Sequence, residues 1–168
     1  MWKCFLRAVV STLIITLQMV PSYARAADVP LPPFSVTDFQ ENVVSSDALK
    51  QAQPWVLIVV APNNQPSHVL LNGLQMSKDA WSDRVTIIVS GDQAAAGAVK
   101  KQNDKLNNVR WYRDADGSVL RNLGLSGWPA VLGIVPGELI AWRAMGVPAS
   151  TQDTQGLVAN WIGLSIKP

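Results

Sequence analysis

The stretch that most constrains this chain is Trp55–Ser67. Val56 to Val60 are all apolar and mostly β-branched, the composition of a strand covered on both faces rather than one with a wet side. The run ends in Ala61-Pro62-Asn63-Asn64-Gln65-Pro66-Ser67, where proline and asparagine favour a turn. A strand buried on two sides needs a layer above and a layer below it. With 168 residues, 48% of them hydrophobic, the chain has enough apolar surface to build one such core.

The segments around this strand supply the layers. Phe34 to Phe39 alternates apolar and polar, the period of a half-buried strand, and is expected at a sheet edge. Ser46–Gln53 has a capping candidate in front and Pro54 behind, which suits a short helix. His68–Trp81 places Val69, Leu70, Gly73, Leu74, Ser77 and Trp81 on one helical face. Arg84–Ser90 repeats the buried-strand pattern, and Ala94–Leu106 is helical by propensity despite Gly97. Strand, helix, strand, helix in that order predicts a parallel sheet with helices against it.

The second half changes character. Asn108–Arg113 is a short strand closed by the polar turn Asp114–Gly117. Ala130–Val135 and Glu138–Arg143 flank Pro136-Gly137, a hairpin signature. Thr151–Leu164 carries Leu157, Val158, Trp161 and Ile162 at helical spacing. Of the tryptophans, Trp142 on the hairpin is the one expected to be exposed. Asp114 and Asp116 suggest a cation loop, but no glutamate follows at the required spacing, so a turn is expected.

Met1–Ala26 reads as a secretory signal peptide: Lys3 and Arg7 lead, an apolar run from Ala8 to Val20 follows, and Ala24-Arg25-Ala26 forms a small-x-small cleavage site. The run is shorter than the ~20 residues a spanning helix needs. The expected layout is a leader over 1–26, an extended Pro-rich segment over 27–33 acting as a tether, and one domain over 34–168. Cleavage removes Lys3, Arg7 and Arg25, leaving 11 basic and 12 acidic residues and a net charge of −1, which argues against a nucleic-acid surface. Cys4, the sole cysteine, leaves with the leader. The exported protein would then be periplasmic or secreted and free of thiols and disulfides.

The order of elements, together with Asp114-x-Asp116-Gly117, the run Leu123–Ile134 containing Gly127-Trp128-Pro129-Ala130, Pro136-Gly137 and Met145-Gly146, resembles the thioredoxin-like superfamily in its redoxin and periplasmic thiol-disulfide branch. The resemblance covers Phe34 to Leu164 and implies an α/β/α sandwich, with a central mixed sheet and a C-terminal hairpin and helix. It also implies that Pro129 is the cis-proline and that Asn64, Gln65, Pro66 and Ser67 occupy the positions of the family's Cys-x-x-Cys. A thiolate at that helix start is what the redox reaction requires, and neither Asn64 nor Ser67 can provide one. The buried acid of thioredoxin falls on Ile58.

What the resemblance leaves is a groove between Asn64–Ser67 and Trp128-Pro129. The leading expectation is an exported, non-catalytic module without cofactor or metal that binds an extended segment of another envelope protein, or scaffolds an envelope assembly, through this groove. Its alternatives are a cysteine-independent enzyme or thiol- or anion-binding protein using the same cleft, and an accessory subunit of a thiol-disulfide oxidoreductase. Asn64 and Ser67 are equally ordinary capping residues. His68, the only histidine, adjoins Ser67 in sequence but not across a helix face, so a Ser/His pair is disfavoured. Trp128 is either an aromatic lip of the groove or a packing residue.

Overall fold

The computed structural model describes residues 25–75, 83–146, 156, 158, 159, 161 and 162. Strands β1 (Arg25–Pro30), β2 (Ser35–Thr37) and β3 (Val43–Ser45) precede a single 3-10 turn, Ser46–Leu49. Then come β4 (Trp55–Val60), α1 (Gln65–Gln75), β5 (Val85–Ser90), α2 (Gln93–Gln102), β6 (Arg110–Asp114), α3 (Ser118–Asn122), β7 (Ala130–Val135) and β8 (Leu139–Met145). The eight strands form one mixed sheet in the order β1-β8-β7-β4-β5-β6-β2-β3. β4 pairs parallel with β5 and antiparallel with β7, so it lies at the centre, as its unbroken apolar run requires. All six of its residues are buried.

Side-chain alternation along the sheet divides the core in two. On one face Val56, Ile58 and Val60 pack with Leu70, Leu71 and Leu74 of α1, Val99 of α2, and Val158 and Ile162 near the C-terminus. On the other, Trp55, Leu57 and Val59 meet Leu49 and the Val119–Leu125 segment that contains α3. Helical residues thus cover both faces, giving the layered α/β architecture.

Several details depart from the sequence reading. Asp28–Pro30 are part of β1, which pairs with β8 through Val29↔Ile140 and Pro30↔Leu139; Leu31 N–H then donates to the Glu138 carbonyl at 2.7 Å. This segment is therefore no free tether. β2 is not an edge, because β3, a strand the periodicity did not reveal, pairs outside it. Ser46–Gln53 yields only the 3-10 turn. α3, absent from the reading, is five residues long.

Trp142 is buried, not exposed. It pairs with Gly133 across β7 and β8, and its indole lies where a Gly133 side chain would be: a Cβ there would sit 2.0 Å from Trp142 Nε1. Trp161 closes over it edge-to-face at 5.8 Å. The helices expected over His68–Trp81 and Thr151–Leu164 lie partly outside the described residues. Within them, α1 begins earlier, at Gln65, and positions 156, 158, 159, 161 and 162 are helical.

Candidate functional site

Four loops lie at the edge of the sheet where the parallel strands β4, β5 and β6 end: those leaving these three strands and the one entering β7. Val59↔Ala130 is the last pair between β4 and β7, so the loop leaving β4 and the Trp128-Pro129 segment entering β7 emerge side by side. Ser90↔Asp114 ends the β5–β6 ladder at the same edge. The loops after β4 and β5 touch: a Cβ at Gly91 would lie 3.0 Å from Pro62 Cγ.

Asn64 is the residue before α1. Its Oδ1 accepts from the Ser67 N–H at 2.9 Å, the N-cap bond that satisfies a free donor of the first turn, and from the Ser67 hydroxyl at 2.8 Å. Ser67 Oγ in turn accepts the Ala61 N–H at 3.2 Å. With the residue only 1% exposed, its hydroxyl is consumed by the loop that holds it. Gln65 and Pro66 are exposed and Asn64 is half-buried.

His68 Nε2 lies 2.6 Å from the Pro62 carbonyl. A carbonyl only accepts, so Nε2 carries a proton there. Ser67 gives its proton to Asn64 while the imidazole is pinned to Pro62, which leaves this serine without a base and unsuited to nucleophilic attack.

At the same end of the sheet, before β7, the Trp128-Pro129 peptide is cis. Pro129 is buried and its carbonyl accepts from the Gly146 N–H at 2.8 Å. Trp128 is 40% exposed, and among the described residues neither its backbone N–H nor its C=O has a hydrogen-bond partner. Met145, paired with Ala130, is also exposed. An aromatic ring, a thioether and a peptide group without a partner among the described residues therefore lie at the end of the sheet from which the loop into α1 also leaves.

Asp114 completes the edge, and sequence reasoning saw in it only a turn residue. Its carboxylate accepts from Ser118 N–H at 3.0 Å, Val119 N–H at 3.1 Å and the hydroxyls of Ser90 and Ser118, capping α3. Burial pushes its pKa up, with the charge of Asp116 adding to that, while the Val119 and Ser118 N–H groups oppose it. The exposed Asp116 moves down, held chiefly by Ser118. Gly117, in the left-handed region at φ 65°, turns the chain between the two acids and the helix. Capping uses Asp114 fully, and no group of three or more metal-ligating side chains occurs among the described residues.

No protein-family model matches the sequence, and neither does any curated protein. Solved structures do match in shape. A secreted disulfide oxidoreductase of Mycobacterium tuberculosis homologous to E. coli DsbE superposes with a TM-score of 0.60 at 20% identity, over 75% of this chain and 94% of that one. A thiol peroxidase from Chromobacterium violaceum gives 0.58 at 12% identity, over 77% and 82%. An uncharacterized conserved protein from Geobacillus kaustophilus gives 0.61 at 16% identity, over 84% of each chain. At these identities the likeness is one of fold. The chain has the thioredoxin-like fold of those oxidoreductases, with Asn64 and Ser67 at the start of α1.

Proposed function

We propose that this is an exported, non-catalytic thioredoxin-like protein that binds an extended segment of another envelope protein along the cleft between Gln65-Pro66 and Trp128. Support comes from one observation above all: among the described residues the N–H and C=O of the exposed Trp128 have no partner, whereas the Asn64 and Ser67 side chains at the start of α1 are hydrogen-bonded to each other. A peptide group just beyond the start of β7, without a partner among the described residues, is suited to pairing with an extended chain, and the aromatic side chain of the same residue adds apolar contact. Thiol exchange has no donor here, since the sole cysteine of the sequence is Cys4, within the expected leader. The charge balance of the exported chain fits a polypeptide partner better than a nucleic acid.

A photoreactive residue in place of Trp128, expressed in the envelope, tests the cleft. Capture of one or a few defined proteins is the expected result; uniform labelling or none would reject it. If the captured protein is itself a dithiol oxidoreductase, the role is that of its accessory subunit. An insulin-reduction assay on the exported chain should be blank, and turnover by it would remove the non-catalytic reading.

A further inference from the structure

At the opposite end of the sheet a second cavity opens, of about 570 Å³, between the C-terminal half of α2, the 103–109 loop and Phe39. Its volume falls in the range of small-molecule sites, about 300–1,000 Å³. The floor is apolar and packed: Leu106, Val109 and Trp111 are each less than a tenth exposed, and the Trp111 N–H is already given to the Leu106 carbonyl at 3.0 Å. Asn103 is equally committed, accepting from Gln75 at 2.6 Å and donating to the Val99 carbonyl at 2.8 Å. The wall above carries Lys100 and Lys101.

Two features of this cavity go beyond what folding needs. The first is Gly97, in the middle of α2 and lining the space. A glycine inside a helix costs about 1 kcal/mol relative to alanine, yet a Cβ here would meet no atom within 4 Å. Neither close packing nor a positive φ demands the glycine; its effect is to keep the cavity open. The second is charge. Lysines near a helix C-terminus answer the helix dipole, but Lys100 does more, since its ammonium lies 4.5 Å from the centre of the Phe39 ring on the cavity wall. Among the described residues neither Lys100 nor Lys101 has a carboxylate partner. With Asp104 also on the lining, the local balance is one net positive charge.

We propose that this cavity is a binding site for a small carboxylate with an apolar body: the body covers Trp111, Val109 and Leu106 beneath the gap left by Gly97, and the carboxylate meets Lys100 and Lys101. Burying the apolar part supplies the affinity, and the lysine pair selects an anion over a neutral compound of the same shape. The site is independent of the Trp128 cleft.

The test uses 3-phenylpropionate and octanoate as probes, with 3-phenylpropanamide as the neutral control, followed by NMR of the backbone amides. At least one carboxylate should give saturable shifts centred on Leu106–Trp111. The amide should bind about tenfold more weakly, or worse. Replacing both lysines by alanine should weaken the carboxylate by a similar factor. Gly97→Leu should abolish binding while the melting temperature holds or rises, which separates a filled site from a damaged fold. Absence of saturable shifts with both carboxylates, equal binding of the amide, or undiminished binding by Gly97→Leu would each overturn the proposal.

Discussion

Two helices start at the same edge of the sheet and are held by opposite means. α1 begins on a neutral pair, Asn64 and Ser67, whose side-chain hydrogen bonds close within residues 61–67. α3 begins on a buried carboxylate, Asp114, which draws in two backbone N–H groups and the hydroxyls of Ser90 and Ser118. The difference follows from desolvation: a buried charge needs several donors from more than one element, whereas an amide and a hydroxyl satisfy each other. Where the family resemblance implies a reactive thiol, this chain has a self-contained cap. Among the described residues, the polar groups left without a partner at this end of the sheet are the N–H and C=O of the exposed Trp128.

Substitutions sharpen that contrast. The sheet on which both helices rest sets the upper limit. Gly133→Ala drives a Cβ into the indole of Trp142, and a loss of about 3 kcal/mol in denaturant unfolding is expected from such overpacking. Asp114→Ala comes next, at about 2–3 kcal/mol, because it removes a cap and strands buried donors. Asn64→Ala should cost only about 1 kcal/mol, the ordinary value of a neutral N-cap. Equal losses at 64 and 114 would erase the distinction between the two starts.

The pH dependence is expected at the α3 start, where two carboxylates shift in opposite directions. Asp114 has its folded pKa raised by burial, so its contribution to stability is fully present below the ordinary carboxyl pKa and fades as pH rises through the raised value. Asp116, lowered, contributes in the reverse sense: its stabilisation is present above the ordinary value and is lost as pH falls through the folded one. Side-chain carboxyl NMR should show Asp114 titrating above Asp116, and the opposite order would contradict the burial argument. Asn64→Asp, which makes the start of α1 resemble that of α3, should add a few tenths of a kcal/mol at neutral pH through the helix dipole, lost on acidification.

The central strands were the most legible part of the chain. Val56–Val60 and the apolar run of β5 have only one comfortable environment, between two layers. β3 and α3 were not legible, because three and five residues are too short for periodicity to register. Trp142 was misplaced for a different reason: its burial depends on Gly133, nine positions away in sequence and opposite it only once β7 and β8 pair. At the site, the positions of Asn64 and Ser67 were readable from the turn that follows β4. The inward direction of the Ser67 hydroxyl and the Pro62 bond of His68 were not, since both depend on how that turn is folded.

The central claim is that the start of α1 retains the geometry of a dithiol site without the sulfur. Asn64 and Ser67 side chains already converge, with Oδ1 and Oγ 2.8 Å apart. The direct measurement is therefore thiol titration and mass spectrometry of residues 27–168, which lack Cys4, carrying Asn64→Cys and Ser67→Cys together, after mild oxidation. Closure to an intramolecular disulfide that dithiothreitol reopens is expected. Two thiols that stay free under oxidant, in a chain that still unfolds cooperatively, would contradict it.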